Sequence, residues 1–249
     1  MARYLISGVS RGIGRALAQR LVADGHEVLG TARSADSVAA LAGRGSIDGG
    51  GLGLAGILVA DLADPDSLAG SLRPALDGGV SLSGVTSLDS VTALDGVVHC
   101  AGIVRPGALR DTAPVDFAEQ FAVNVTAVAE LTRLLLPALR AAGGTVVFVN
   151  SGSGLNARAP LATYGASKFA LRAYADALRS EEPGLRVSTV YPGRTSTDMQ
   201  REVRAAEAGE YDEQDYLRPE TVAGVLASVL ALPADGVITD LTLRPSGRG

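Results

Sequence analysis

The sequence predicts a single α/β domain built on a doubly wound, mostly seven-stranded parallel sheet with helices on both faces. Three observations predict it: short apolar runs alternate with longer helical segments, the runs lack apolar/polar alternation, and a glycine-rich turn follows the first run. Continuous apolar runs are typical of parallel strands buried on both faces. Strands that alternate with helices form right-handed βαβ units, and 249 residues suit one such domain.

Two glycine- or serine-rich links, 43–56 and 77–94, interrupt the alternation of strands and helices. We interpret both as surface insertions, because the alternation resumes directly after each. Residues 1–249 are therefore treated as one domain. The predicted strands are 4–7, 27–31, 57–60, 96–99, 145–150, 186–191 and 237–241, and the predicted helices lie near 12–24, 64–76, 114–141, 160–181 and 219–231.

Composition argues against several kinds of partner. A net charge of −5 provides no basic surface for a phosphate backbone, so we expect no nucleic-acid partner. Cys100 is the single cysteine, which forbids an intramolecular disulfide, and with only two histidines no metal site is predicted. The N-terminus meets Gly8 before any long apolar region, and the most apolar segment, near 121–139, is interrupted by polar residues. We therefore expect a cytoplasmic protein without a signal peptide or membrane span.

The glycine-rich turn lies between the first strand and the first helix. Its glycines follow the spacing G-x-x-x-G-x-G, which lets the backbone turn sharply and approach a pyrophosphate closely. The helix that follows offers free N–H groups and the positive end of its dipole. Position along the chain makes this cluster specific, and we predict a dinucleotide site that includes Gly8, Ser10, Arg11, Gly12, Ile13 and Gly14.

The end of the second strand predicts the choice between NAD(H) and NADP(H). An acidic residue there would bind the ribose 2′-hydroxyl and repel a 2′-phosphate, whereas arginine would attract the phosphate. This chain has Ala32 where the acid is expected, Arg33 directly after it, and Arg11 in the glycine-rich turn. We predict NADP(H) as the cofactor, with NAD(H) as the less favoured alternative.

One pair of residues points to acid–base chemistry. Of 22 basic residues only Lys168 is lysine, and it follows Tyr164 by four positions, one helical turn. With six tyrosines in 249 residues, chance gives that spacing only about once in forty. A nearby cation, together with an oxidised nicotinamide, would lower the pKa of the phenol from about 10 toward the working range. We therefore predict that this pair carries the reaction.

With these motifs in place, the chain resembles the short-chain dehydrogenase/reductase family in its compact branch, over essentially the whole chain. The family pattern N-N-A-G is changed at both asparagines, to His99 and Cys100, so we expect that turn to persist with different hydrogen bonding. The motifs that match, besides the glycines and the Tyr/Lys pair, are Asp61-Leu62, Ala101-Gly102, Asn124, Ser151, and Pro192-Gly193 with Thr195 and Thr197.

The resemblance implies a Rossmann fold and a catalytic set of Asn124, Ser151, Tyr164 and Lys168. Tyr164 would exchange a proton with the substrate oxygen, and Ser151 would orient that oxygen. Lys168 would bind the nicotinamide ribose, and Asn124 would shape a helix and anchor a relay water. The remaining implied cofactor contacts are Asp61, Leu62, Ala101, Gly102, Pro192, Gly193, Thr195 and Thr197.

The substrate and the assembly follow only from the resemblance. It implies a substrate lid at 194–218 and a homodimer or homotetramer paired through the helices near 114–141 and 160–181. Met199, Tyr211 and Tyr216 are candidate apolar lid contacts, and Tyr191 and the Val104-Arg105 turn are candidates for the pocket border. The substrate would be a small-molecule carbonyl compound or alcohol whose identity the sequence does not specify.

Three other functions fit part of the sequence. A non-catalytic NADP(H) sensor or scaffold would keep the glycine-rich turn, but such a protein would not need all four catalytic positions. A sugar-nucleotide epimerase or dehydratase would need a larger C-terminal region than the fifty or so residues after Thr197. A methyltransferase would share the glycine-rich turn but has no use for Ser151, Tyr164 and Lys168 together.

Overall fold

The computed structural model describes residues 1–33, 52–64, 68, 70 and 91–246. Its seven strands form one sheet of order β3-β2-β1-β4-β5-β6-β7, and all six pairings are parallel. The predicted fold class is confirmed. The strands are β1 (Arg3–Ser7), β2 (Glu27–Ala32), β3 (Gly56–Val59), β4 (Gly96–His99), β5 (Thr145–Val149), β6 (Arg186–Pro192) and β7 (Asp240–Leu243).

The last strand begins later than the sequence predicts. We expected it at 237–241, but β7 pairs with β6 from Asp240 to Leu243. The apolar side chain of Val237 is 46% exposed, so the run before the strand does not enter the sheet. Pairing with β6 therefore sets the start of the strand, and local apolarity does not. Most of the predicted helix near 64–76, and most of the links at 43–56 and 77–94, lie outside the described residues.

The segment predicted as one helix near 114–141 is divided by a π-helical turn at Ala122–Thr126. This turn holds Asn124, and such turns inside helices are frequent at functional sites. The other predicted helices in the described residues are confirmed to within two residues. The α-helices that lie wholly within the described residues are α1 (Gly12–Ala23), α2 (Pro114–Phe121), α3 (Ala127–Ala142), α4 (Ala162–Glu181), α5 (Asp198–Ala206) and α6 (Pro219–Leu230).

Helices cover both faces of the sheet, as a doubly wound fold requires. Helices α3 and α4 bury side chains such as Leu135 and Leu171 against one face. Helices α1 and α6 bury Leu17 and Leu226 against the other. The strands therefore lie in the interior, which leaves their carboxyl ends as the edge where loops can build a site.

The stretch Pro114–Ala142 is long and apolar enough to cross a membrane by length and composition alone. Sequence reasoning expected no such stretch, because it treated polar interruptions as decisive. However, 56% of its most apolar window is buried inside the protein. Its apolar residues, such as Leu131 and Leu139, belong to the core beneath the sheet. The hydrophobicity of this stretch is thus accounted for by packing.

His99, at the end of β4, is a core residue. Its side chain is 1% exposed, its ring stacks on Phe148 with centroids 5.2 Å apart, and its Nε2 lies 3.0 Å from the Thr132 hydroxyl. Its Nδ1 has no hydrogen-bond partner among the residues that the structure describes. Burial disfavours the charged ring and lowers the pKa of His99 from 6.5 to about 3. The native state therefore requires neutral His99.

We predict that His99 contributes an acid-sensitive part of the stability. Because its pKa is depressed on folding, that part is complete above pH 6.5 and decreases as the pH falls from 6.5 toward 3, by about 1.4 kcal/mol per pH unit. His99→Gln should lose this decline in the free energy of unfolding, measured by denaturant titration at several pH values. His26→Gln, which keeps His99, should retain the wild-type decline. Parallel declines in His99→Gln and the wild type would contradict the assignment.

Candidate active site

A cavity of about 410 Å³ opens at the carboxyl ends of β1 to β5. Ligands of open α/β sheets bind at this edge, where the strand order reverses, and here the reversal lies between β1 and β4. The structure thus brings most of the predicted residues together. Those on its wall are Gly8, Ser10, Arg11, Gly12, Ile13, Gly14, Arg33, Asp61, Leu62, Ala101, Gly102, Tyr164, Lys168 and Thr197.

The glycine-rich turn needs its glycines for two reasons. Gly8 and Gly12 have positive φ angles of 76° and 56°, which residues with a side chain rarely adopt. A Cβ atom at Gly14 would clash with the carbonyl oxygen of Gly8, so the helix could not start this close to the strand. The turn therefore presents bare backbone to the cavity, as close approach by a phosphate group requires.

Side-chain hydroxyls of two strands fix the glycine-rich turn and the turn after β4. The amide of Gly8 donates to Thr31 Oγ1 on β2 at 3.0 Å, and the amide of Ala101 donates to Ser7 Oγ on β1 at 3.1 Å. The Ala101 bond holds the turn after β4 although both family asparagines are replaced. This part of the cavity therefore keeps its shape with different hydrogen bonds.

Lys168 and the end of β5 hold each other at two points. The Lys168 ammonium donates to the carbonyl oxygen of Val149 at 3.0 Å, and the Asn150 amide donates to the carbonyl oxygen of Lys168 at 3.0 Å. The side chain of Lys168 is deeply buried, and burial lowers its pKa from 10.5 to about 8. These contacts fix helix α4 against β5. They also aim the ammonium into the cavity.

Tyr164 lies one turn earlier on α4, with the Lys168 ammonium 5.8 Å from the centre of its ring. The tyrosine is 8% exposed and packs with Val104 and Val203, with Leu161 at the edge of the cluster. This burial raises the pKa of Tyr164 above 10, and a hydrogen bond with the Ser151 side chain opposes the rise.

The raised pKa differs from the sequence expectation. We expected Lys168 to lower the pKa of Tyr164, but in the protein alone desolvation is the largest effect and raises it. The physical reason is that the phenol is enclosed by apolar side chains, so the charged form loses hydration. The protein alone therefore holds Tyr164 as a protonated phenol, which is the form that can donate a proton.

Asn124 joins the turn after β4 to helix α4. Its Oδ1 accepts from the amide of Ile103 at 2.9 Å, and its Nδ2 donates to the carbonyl of Ile103 and to Ser167 Oγ, each at 3.0 Å. Ser167 in turn donates to the carbonyl of Tyr164 at 2.8 Å. The side-chain amide is thus engaged within the protein, and Asn124 fixes the position of the helix that carries Tyr164.

Some predicted residues lie near the cavity but not on its wall: Asn124, Ser151, Pro192, Gly193 and Thr195. Ser151 caps a short turn after β5, and its side chain lies within hydrogen-bonding reach of Tyr164. Gly193 donates to the carbonyl of Leu243 at 2.6 Å, and Thr195 Oγ1 donates to the carbonyl of Gly193 at 3.0 Å. With these two hydrogen bonds, Gly193 and Thr195 hold the start of the segment 194–218.

The two ends of the segment 194–218 are joined by a β-bridge between Thr195 and Leu217, and the segment contains α5. Met199 lines the cavity as expected. Tyr211 and Tyr216 contact each other, with ring centroids 4.9 Å apart. Tyr191 is 1% exposed and donates to Asp240 at 2.8 Å, so it does not border the pocket.

Sequence reasoning missed several residues on the wall. Asn150 and Cys100 each follow a parallel strand directly, and this position could have singled them out. Burial raises the pKa of the Cys100 thiol to about 12, so it is not an activated nucleophile. Glu119 and Val123, by contrast, reach the wall from α2 and the π-helical turn, and no local pattern marks them.

The family model described as short chain dehydrogenase matches residues 80–208, just over half of the chain. The chain belongs to the short-chain dehydrogenase/reductase family. It is therefore an oxidoreductase of the short-chain type, in a family that uses nicotinamide cofactors. An uncharacterized short-chain type dehydrogenase/reductase, y4eK of Sinorhizobium fredii, is 29% identical over 259 residues, covering 100% of this chain and 94% of that protein.

Solved structures share the fold of this family member. An alcohol dehydrogenase from Thermococcus sibiricus, complexed with 5-hydroxy-NADP, has a TM-score of 0.81 and 24% identity, covering 99% of this chain and 97% of its own. A 3-ketoacyl-(acyl-carrier-protein) reductase from Brucella melitensis, complexed with NADH, has a TM-score of 0.79 and 22% identity, covering 98% and 97%. The two therefore differ in cofactor while sharing one architecture.

Proposed function

We propose that this protein is an NADP(H)-dependent oxidoreductase that interconverts a small-molecule carbonyl group and the corresponding alcohol, and that it acts as a carbonyl reductase in the cell. The observation that carries the proposal is one cavity with a bare glycine-rich turn at one end and the pair Tyr164 and Lys168 at the other. A bound dinucleotide would extend from one end of the cavity to the other, with its phosphates at the glycine-rich turn. An acid beside a buried cation is what carbonyl reduction requires.

The cavity suits a nicotinamide dinucleotide on chemical grounds. The turn around Gly8 and Gly12 offers backbone and no side chain, and α1 begins there. A Cβ atom at Gly102 would lie 3.2 Å from Asn124 Oδ1 and 3.8 Å from Lys168 Nζ, so glycine leaves room beside the ammonium. When bound, the nicotinamide supplies or accepts the hydride.

Tyr164 acts as the proton donor in the direction of reduction. Its phenol is kept protonated by burial, and the Ser151 side chain lies within hydrogen-bonding reach of it. Ser151 can then hold the substrate oxygen beside the phenol. As negative charge develops on that oxygen, Tyr164 transfers its proton, and in oxidation the same group takes the proton back.

Lys168 stabilises the charge that Tyr164 acquires. Its ammonium faces the phenol ring at 5.8 Å in a desolvated site, where electrostatic attraction is stronger than in water. Its pKa of about 8 leaves it cationic at neutral pH and able to exchange a proton near that pH. Lys168 thus fits both binding of ribose hydroxyls and resupply of the proton.

The surroundings of Tyr164 favour a carbonyl with uncharged, apolar substituents. Val104 and Val203 contact the tyrosine cluster, and Met199 extends it into the cavity. Arg105, the residue after Val104, forms an ion pair with Glu119 at 3.4 Å. A charged substituent among these apolar groups would lose hydration, which disfavours its binding there.

The preference for NADP(H) rests on charge at the adenosine end. Arg11 and Arg33 line the cavity there, and Ala32 ends β2 where an acid would bind the ribose hydroxyls of NAD(H). Arg33 is exposed, so its guanidinium is available to a phosphate. Two arginines and no acid at the strand end favour a 2′-phosphate.

We predict that Tyr164→Phe lowers kcat for carbonyl reduction by about 100-fold or more while NADPH binding stays within about twofold. The hydroxyl is the only group removed, and the ring keeps its packing. Turnover is measured with a panel of ketones and aldehydes, and binding by NADPH fluorescence. Tyr174→Phe, the same change on the same helix outside the cavity, should keep its turnover. Near-normal kcat in Tyr164→Phe would contradict the mechanism.

We predict that Arg33→Asp shifts cofactor preference toward NAD(H). The new carboxylate repels the 2′-phosphate and can bind ribose hydroxyls, so the ratio of kcat/KM for NADPH over NADH should fall about tenfold or more. Arg110→Asp makes the same charge change at a residue outside the cavity wall and should leave the ratio unchanged. An unchanged ratio in Arg33→Asp would show that Arg33 does not read the phosphate.

A further inference from the structure

Asp198 brings an acidic group to a cavity that we propose binds phosphates. It is the first residue of α5, lies on the cavity wall, and has its Oδ2 3.9 Å from Nη1 of Arg11 in the glycine-rich turn. Both side chains are more than half exposed, at 61% and 59%. Arg11 therefore has an acid of this chain within 4 Å, in the turn where we propose that a phosphate binds.

The close approach at Gly12 also places the start of α5 against the glycine-rich turn. A Cβ atom at Gly12 would lie 3.3 Å from the methyl group of Thr197, the residue that caps α5. Met199, the residue after Asp198, lines the cavity and packs at the edge of the Tyr164 cluster. The beginning of this helix thus touches both ends of the site, and Asp198 faces the phosphate end.

We propose that Asp198 is a specificity-determining residue that weakens NADP(H) binding by competing with the 2′-phosphate for Arg11. The inference rests on the proposed function, because it takes Arg11 as a phosphate ligand. One guanidinium cannot pair fully with two anions, and the carboxylate also repels a phosphate across the cavity. The chain therefore moderates an affinity that Arg11 and Arg33 would otherwise make higher.

The two cofactors separate this effect from general electrostatics. NADPH and NADH carry the same diphosphate, so repulsion between Asp198 and the diphosphate affects both equally. Only NADPH carries the 2′-phosphate that competes for Arg11. Removing the Asp198 charge should therefore tighten NADPH more than NADH, by about three- to fivefold for an exposed pair of this kind.

The test uses Asp198→Asn, Glu202→Gln and Arg11→Gln in the full chain, with Kd values for NADPH and NADH from fluorescence titration. Glu202→Gln removes the same charge from an exposed position on the same helix, off the cavity wall. Asp198 also forms an ion pair with Arg201 at 3.2 Å, and Arg201 is not substituted in any variant. A fourth protein combines Arg11→Gln with Asp198→Asn.

We expect Asp198→Asn to lower the Kd for NADPH about three- to fivefold and that for NADH less than twofold, with no change in Glu202→Gln. In the Arg11→Gln background, the selective effect of Asp198→Asn on NADPH should fall below twofold, because only direct repulsion remains. Equal tightening of both cofactors, or an unchanged Kd for NADPH, overturns the proposal. If the wild type binds NADPH no tighter than NADH and Arg11→Gln changes neither, the proposed NADP(H) preference itself fails, and the role of Asp198 fails with it.

Discussion

The site depends on a two-point attachment between one lysine and the end of one strand. The Lys168 ammonium donates to the carbonyl of Val149, and Asn150 donates to the carbonyl of Lys168. Because these partners are consecutive at the end of β5, helix α4 can take only one position along the strand. Tyr164, one turn earlier, then lies beside Ser151, the next residue of the chain after Asn150. A single attachment thus sets the phenol, the serine and the ammonium at the same end of the cavity.

Burial gives the two ionisable groups opposite shifts, and both suit the proposed chemistry. It raises the pKa of Tyr164 and lowers that of Lys168 to about 8, since each neutral form is favoured away from water. A protonated phenol is the donor that carbonyl reduction needs, and a lysine that titrates near neutral pH can renew its proton. The sequence predicted the pair, and a lowered pKa of Tyr164 with the oxidised nicotinamide bound. It did not predict the raised pKa in the protein alone, because the spacing of two residues contains no information about the apolar side chains that enclose them.

The sequence predicted the sheet well because buried parallel strands leave continuous apolar runs, and six of the seven strands lie where those runs are. It misplaced β7, whose start depends on pairing with β6. It also missed the π-helical turn at Ala122–Thr126, since nothing in a helical pattern marks an extra residue per turn. Glycines, the Tyr/Lys pair and Ser151 could be found from local motifs. Glu119, Val123 and Asp198 could not, because the elements that bring them to the cavity meet only in the folded chain.

The most direct test of the account is the fate of a labelled hydride. Wild-type protein is incubated with NADPH carrying deuterium at the transferable position of the nicotinamide and with a panel of apolar ketones, and the products are examined by mass spectrometry. The account predicts an alcohol with deuterium on the carbinol carbon. Tight binding of NADPH with no deuterium transferred to any member of the panel would contradict it and would favour a protein that binds the cofactor without turning it over.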